Sequence, residues 1–176
     1  MAATINATIK SETANSYVTL AEANSYFETV PDSTTWDNKT DDQKNRSLIA
    51  ATRWIDTFVY QGDRCDEDQA LKFPRTNYQL DRVELSCSTI PNNIKYAQYE
   101  LARALANDTG AITGTTGTEG NLSELRMGDI QLKYNTDSQG VGSINNILDV
   151  YPWLQSYLGA YMLGGAGTFQ LRAVRG

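Results

Sequence analysis

Residues 40–60 read TDDQKNRSLIAATRWIDTFVY. The segment opens on a capping box: the Thr40 hydroxyl can accept from the N–H three residues on, and the Gln43 side chain can reach back to Thr40. Asp41 and Asp42 stand in the first turn, where the helix dipole favours negative charge. Leu48, Ala51, Thr52, Ile55, Phe58 and Val59 then recur at helical spacing as one apolar stripe, with Trp54 on its flank. The pattern predicts a helix from Asp41 to about Tyr60, stopped by Gly62. A helix with one apolar face must bury it against another element, so the neighbours decide the fold.

The neighbours read as helices too. Thr19 and Glu22 form a second capping box ahead of Leu20, Ala23, Tyr26, Phe27 and Val30. Pro91 sits at the first turn of a helix whose core face is Ile94, Ala97, Leu101, Ala104 and Leu105, with Gly110 as its stop. Ser143 can cap INNILDVYPWLQSYLG (144–159), which Pro152 must kink or split. Only RMGDIQLKYN (126–135) alternates as a half-buried strand does, through Ile130, Leu132 and Tyr134. Residues 63–89 show no period. The fold class expected is therefore mainly α: a small bundle of about four helices with one or two short strands and extended terminal arms and loops. Its parts are an arm over 1–18, a bundle over 19–160 and a tail over 161–176. The bundle carries a Gly/Thr-rich flexible loop at 109–123 and a strand near 127–134.

Composition narrows the function. The 176 residues hold 15 Lys and Arg against 21 Asp and Glu, for a net charge of −6, and no histidine. The commonest general base and metal ligand is thus missing, and no serine or cysteine has a base at a suggestive spacing. The expectation is a non-enzyme with no cofactor and no metal. DRCDED (63–68) lacks the register of an EF-hand and reads as a solvated acidic turn. TGTTGTEG (113–120) lacks the Gly-Lys-Ser/Thr ending of a phosphate loop and reads as a linker. Cys65 and Cys87 match no zinc spacing; a disulfide and free thiols are both open, and a cytoplasmic site of synthesis favours free thiols. No apolar run is long enough to span a bilayer, and MAATINATIK lacks the charged start and apolar core of a signal peptide. Trp36, Trp54 and Trp153 could stack bases, but they fall at core spacing, and no Lys/Arg cluster supplies a phosphate-binding face.

ALKFPRTN (70–77) stands apart. Proline fixes the backbone, and Phe73, Pro74 and Arg75 present an aromatic and a guanidinium side by side. Arg75 can pair bidentately with a carboxylate, either in the acidic run of its own chain or on a neighbouring subunit. Phe73, Pro74 and Arg75 are therefore candidate interface residues. So are Thr168, Phe169, Gln170, Leu171 and Arg172 in the tail, an alternating segment able to add a strand to a partner's sheet edge.

Taken in order, ANSYVTLAEANSYF (Ala14–Phe27), LIAATRWID (Leu48–Asp56), QALKFPRTN (Gln69–Asn77), IPNNIKYAQYELA (Ile90–Ala102) and MGDIQLKY (Met127–Tyr134) resemble a phage protein family labelled DnaT-like single-stranded-DNA-binding. Its members look like head-tail connector, or adaptor, proteins. The resemblance implies a helical-bundle adaptor in the virion neck, made in the host cytoplasm. It would form a ring, typically dodecameric, beneath the portal protein and above a tail or tail-terminator protein. Genomic DNA would pass through without specific binding. The label taken literally implies instead a replication protein that grips single strands. A basic groove would distinguish the two, and the sequence offers none.

Overall fold

The computed structural model describes residues 3–107, 124–127, 130–133 and 147–163. Both capping boxes form. Thr19 caps α1 (Leu20–Phe27) and Thr40 caps α3 (Asp41–Ile55); in each, the threonine hydroxyl accepts from the backbone N–H three residues on, and that residue's side chain accepts from the threonine N–H. The short α2 (Thr34–Asp37) lies between them and buries Trp36 completely, its indole N–H donating to Asn24 Oδ1 at 2.9 Å.

The α3 stripe is shorter than the pattern predicts. The helix stops at Ile55 because its last carbonyls are claimed by side chains: the Thr57 hydroxyl donates to Trp54 O at 2.7 Å and the Tyr60 hydroxyl to Ile55 O at 2.7 Å. Leu48, Ala51 and Ile55 are fully buried and Phe58 nearly so, whereas Val59 is 62% exposed. α3 packs on α4 (Asn92–Asn107), which buries Ile94, Ala97, Leu101 and Leu105. Pro152 splits the last helix into α5 (Ile147–Val150) and α6 (Leu154–Leu158), and α6 packs on α4 through Leu154 and Leu158.

The expectation of a mainly helical bundle is corrected: the architecture is mixed α/β. Among the described residues there are three separate antiparallel pairs, β1 (Asp63–Arg64) with β2 (Arg75–Thr76), β3 (Gln79–Leu80) with β4 (Val83–Glu84), and β5 (Glu124–Met127) with β6 (Ile130–Lys133). Two of these pairs occupy the stretch that shows no period. Their strands are two residues long, too short for an apolar alternation to register. Asp81 and Arg82 make the β3–β4 turn with φ of 51° and 68°, the left-handed backbone that matches the strands' twist in a two-residue hairpin. The predicted strand near 127–134 is the second half of the β5–β6 hairpin.

The segment before α1 packs on the body: the Ala3 N–H donates to Asp42 Oδ1 at 2.7 Å, Asn45 Nδ2 donates to Ala3 O at 2.9 Å, and Tyr17 and Val18 are buried. One further expectation changes. Cys65 and Cys87 are not free thiols. They form a disulfide, with Cα atoms 5.6 Å apart, that ties the residue after β1 to the segment after β4.

Candidate functional site

ALKFPRTN runs into β2, and its central residues, Phe73, Pro74 and Arg75, are buried. Phe73 is buried with its ring 4.8 Å from Tyr60, 5.8 Å from Tyr161 and 6.1 Å from Tyr17, edge to face in each case. That geometry sets the positive ring edge against the negative face. A cis peptide bond joins Phe73 to Pro74, whose carbonyl accepts from the Cys65 N–H at 3.3 Å and from Gln69 Nε2 at 3.2 Å.

Arg75 is also buried, and it resolves the open pairing in an unforeseen way. Its Nε donates to Gln61 O at 2.6 Å, Nη1 to Lys72 O at 3.1 Å, and Nη2 to Tyr60 O at 3.2 Å and to Gly62 O. Every partner is a backbone carbonyl of its own chain. Burial lowers the guanidinium pKa from its usual value, and the nearby Asp63 charge partly offsets this. The planar fork suits such a cluster, since several carbonyls of one tight loop converge on one side chain. Of the interface candidates, Phe73, Pro74 and Arg75 are all buried, and the bonds of Arg75 are made inside the protomer. The carboxylates of Asp63, Asp66, Glu67 and Asp68 belong to exposed residues. The other interface candidates, Thr168, Phe169, Gln170, Leu171 and Arg172, lie outside the described residues.

A different place has the shape of a site. A groove of about 630 Å³ opens between the loop before α2, the second half of α4 and the α5–α6 corner, walled by Tyr151, Trp153 and Tyr157 and floored by Asp32, Glu100 and Arg103. The three aromatics are partly exposed and follow one another, Trp153 lying 5.9 Å from Tyr151 and 6.3 Å from Tyr157 between ring centres. Arg103 Nη2 pairs with Glu100 Oε2 at 2.6 Å, and Nη1 donates to Asp32 O at 2.9 Å. Glu100 also accepts the Tyr26 hydroxyl at 2.7 Å; burial raises the Tyr26 phenol pKa and the Glu100 charge raises it further. Among the described residues Glu100 is thus matched by Arg103, while the exposed Asp32 carboxylate accepts the Thr34 N–H alone. Aromatic walls beside an unmatched carboxylate attract a cation and repel a phosphate.

Sequence reasoning assigns Trp153 to the core and passes over this groove. The signal is Tyr151-Pro152-Trp153: a proline that breaks a helix between two aromatics leaves both half-buried at the corner, packed against the core. Among the described residues, no group of three or more His, Cys, Asp or Glu is placed to hold a metal.

No curated protein and no solved structure matches the chain. Matched over residues 1–176, the chain belongs to the family described as "Putative DnaT-like ssDNA binding protein".

Proposed function

We propose that this chain is a structural head-tail connector of a tailed phage, a ring-forming part of the neck that contacts the portal protein on one side and a tail component on the other. The observation that carries the reading is how the chain uses its cations. Arg46, Lys95 and Arg103 pair with Asp42, Glu22 and Glu100. Arg64, Lys72 and Arg75 donate to backbone carbonyls, and Lys44 lies over the Trp36 ring. Among the described residues this leaves Lys10, Arg53 and Arg82 exposed and Lys39 half-buried, on four separate segments. A net charge of −6, with most of the described cations so committed, suits a conduit past which a duplex slides, because like charges repel. The ordered segments that resemble phage adaptors support the same reading.

Electron microscopy of purified necks tests it. The expected result is density for this chain as a ring between portal and tail. Completed necks that lack the chain would end the proposal.

The family's description favours a second reading, binding of single-stranded DNA. Such binding neutralises phosphates and releases counterions, so it weakens steeply with salt. Titration of a labelled single strand at low salt separates the readings. Salt-sensitive binding would support the second; a flat titration, which the connector reading expects, would remove it.

A further inference from the structure

The groove at the α5–α6 corner has a charge left over. Among the described residues its lining holds two carboxylates, Asp32 and Glu100, against one guanidinium, Arg103, which already pairs with Glu100 at 2.6 Å. Asp32 is exposed and pairs with no cation among those residues. The half-buried rings of Trp153 and Tyr157 stand in the same wall, 6.3 Å apart between centres. A carboxylate beside aromatic rings suits a guanidinium above other cations, because the planar fork pairs with the first and stacks on the second.

The sequence holds such a group close by. Asp149 is the last carboxylate side chain of the chain, and beyond it come Arg172 and Arg175. Residues 164–176 lie outside the described residues, and their composition is the counterpart of the groove: cationic where it is acidic, even if a terminal carboxylate at Gly176 is counted. Phe169 and Leu171 add apolar side chains able to cover ring carbon. Reach is no obstacle. Tyr157 stands six positions before Leu163, a span of about 20 Å at full extension, and Arg172 nine positions after it, about 30 Å. Gly164, Gly165 and Gly167 occupy the stretch where the chain has to turn back, and glycine accepts backbone of either hand.

We propose that Thr168–Gly176 folds back as a strap over the groove of its own chain, with its arginines toward Asp32 and the rings. Tethering favours this occupant over the same segment of a second copy, since a short linker holds its end at a local concentration on the order of millimolar. A partner that takes the groove must then displace the strap with a cation of its own. The contact goes beyond the neck reading and does not depend on it.

Fluorescence anisotropy of a labelled peptide, TFQLRAVRG, titrated with whole-chain proteins tests the strap. Arg172→Gln with Arg175→Gln weakens the tethered competitor, so this double variant should bind the peptide about fivefold more tightly than the wild type does. Adding Asp32→Asn, which keeps an oxygen for the Thr34 N–H, should weaken the peptide again by about fivefold. Equal affinity for the wild type and the double variant would overturn the strap and show the groove open in the whole chain. A peptide that binds neither protein would overturn the groove as the seat of this segment, and so would one whose binding ignores Asp32→Asn. Each outcome leaves the neck reading to be judged by particle microscopy.

Discussion

Gln98, in the middle of α4, donates from Nε2 to Ser16 Oγ at 2.7 Å and to Leu48 O at 3.1 Å, while its Oε1 accepts the Tyr17 N–H at 3.1 Å. One fully buried amide joins the segment before α1, helix α3 and helix α4. A buried polar side chain is tolerable only when its bonds are made, and here the partners come from three parts of the chain. Gln98→Leu fills the same space and strands the Tyr17 N–H in the core. The expected cost is about 2 kcal/mol, read by urea denaturation.

Arg75→Met should cost more. It preserves much of the stem's packing and removes donors from the carbonyls of Tyr60, Gln61, Gly62 and Lys72. Leaving buried carbonyls unmatched predicts a loss of about 3 kcal/mol. In calorimetry that is a fall in melting temperature of about 10 °C for a chain of this size. Arg75→Lys should recover little, because an ammonium cannot span the same fork of acceptors. A melting temperature unchanged in Arg75→Met would refute the internal role.

These two residues show how far the sequence is legible. Thr19–Glu22 and Thr40–Gln43 could be read directly, because a capping box is local and its signal lies within four residues. The core faces of α3 and α4 were legible for a related reason: periodicity averages over many positions. The β1–β2 and β3–β4 pairs were not, since a two-residue strand has no period. Arg75 was singled out but its partners were missed, because backbone carbonyls leave no mark on the sequence, whereas a carboxylate does. The groove escaped because its walls come from α4 and from the corner beyond Pro152, and only the fold brings Arg103 and Trp153 together. The Cys65–Cys87 bond was missed because compartment, rather than spacing, guided the expectation.

Reduction of that bond gives a third prediction. The cysteines lie 22 positions apart, and closing a loop of that length restricts the unfolded chain by about 3 kcal/mol. The denatured, unreduced protein should show no free thiol, and reductant should lower the melting temperature by about 10 °C. Cys65→Ser with Cys87→Ser should reproduce the reduced value. Two titratable thiols in the unreduced, denatured protein would contradict the bond.

Two carboxylates should move stability with pH in opposite directions. Burial pulls the Glu22 pKa up, but bonds from the Lys95 ammonium and from Thr19 outweigh it and hold the carboxyl below 4.5. A depressed folded-state pKa gives stability that is present above the unfolded value and lost as pH falls through the folded one. Glu22→Gln should therefore cost stability at pH 7 and almost none in strong acid. Asp56 is the reverse: burial raises its pKa above 3.8 despite the Tyr17 hydroxyl and the Lys72 N–H. A raised value gives stability that is complete below 3.8 and lost as pH rises through the folded pKa. The cost of Asp56→Asn should accordingly be larger at pH 3 than at pH 7. Denaturation curves at the two pH values for each variant check both signs.

Gly62 gives the last prediction and ties the Arg75 loop to its backbone. Its φ is +72°, and a Cβ built there would stand 2.3 Å from Thr76 O and 2.9 Å from Tyr78 Cβ. The first obstacle is backbone of β2, which the β1 pairing and Arg75 itself hold in place, so it cannot swing aside. Gly62→Ala thus meets both a strained left-handed backbone and a steric clash, for which at least about 2 kcal/mol is expected. Because Gly62 O is one of the Arg75 acceptors, a shifted backbone there should also loosen the guanidinium. The double variant Gly62→Ala with Arg75→Met should therefore cost less than the two single losses combined, the signature of neighbours sharing one structure. Strict additivity in urea denaturation would show that Gly62 and Arg75 act independently.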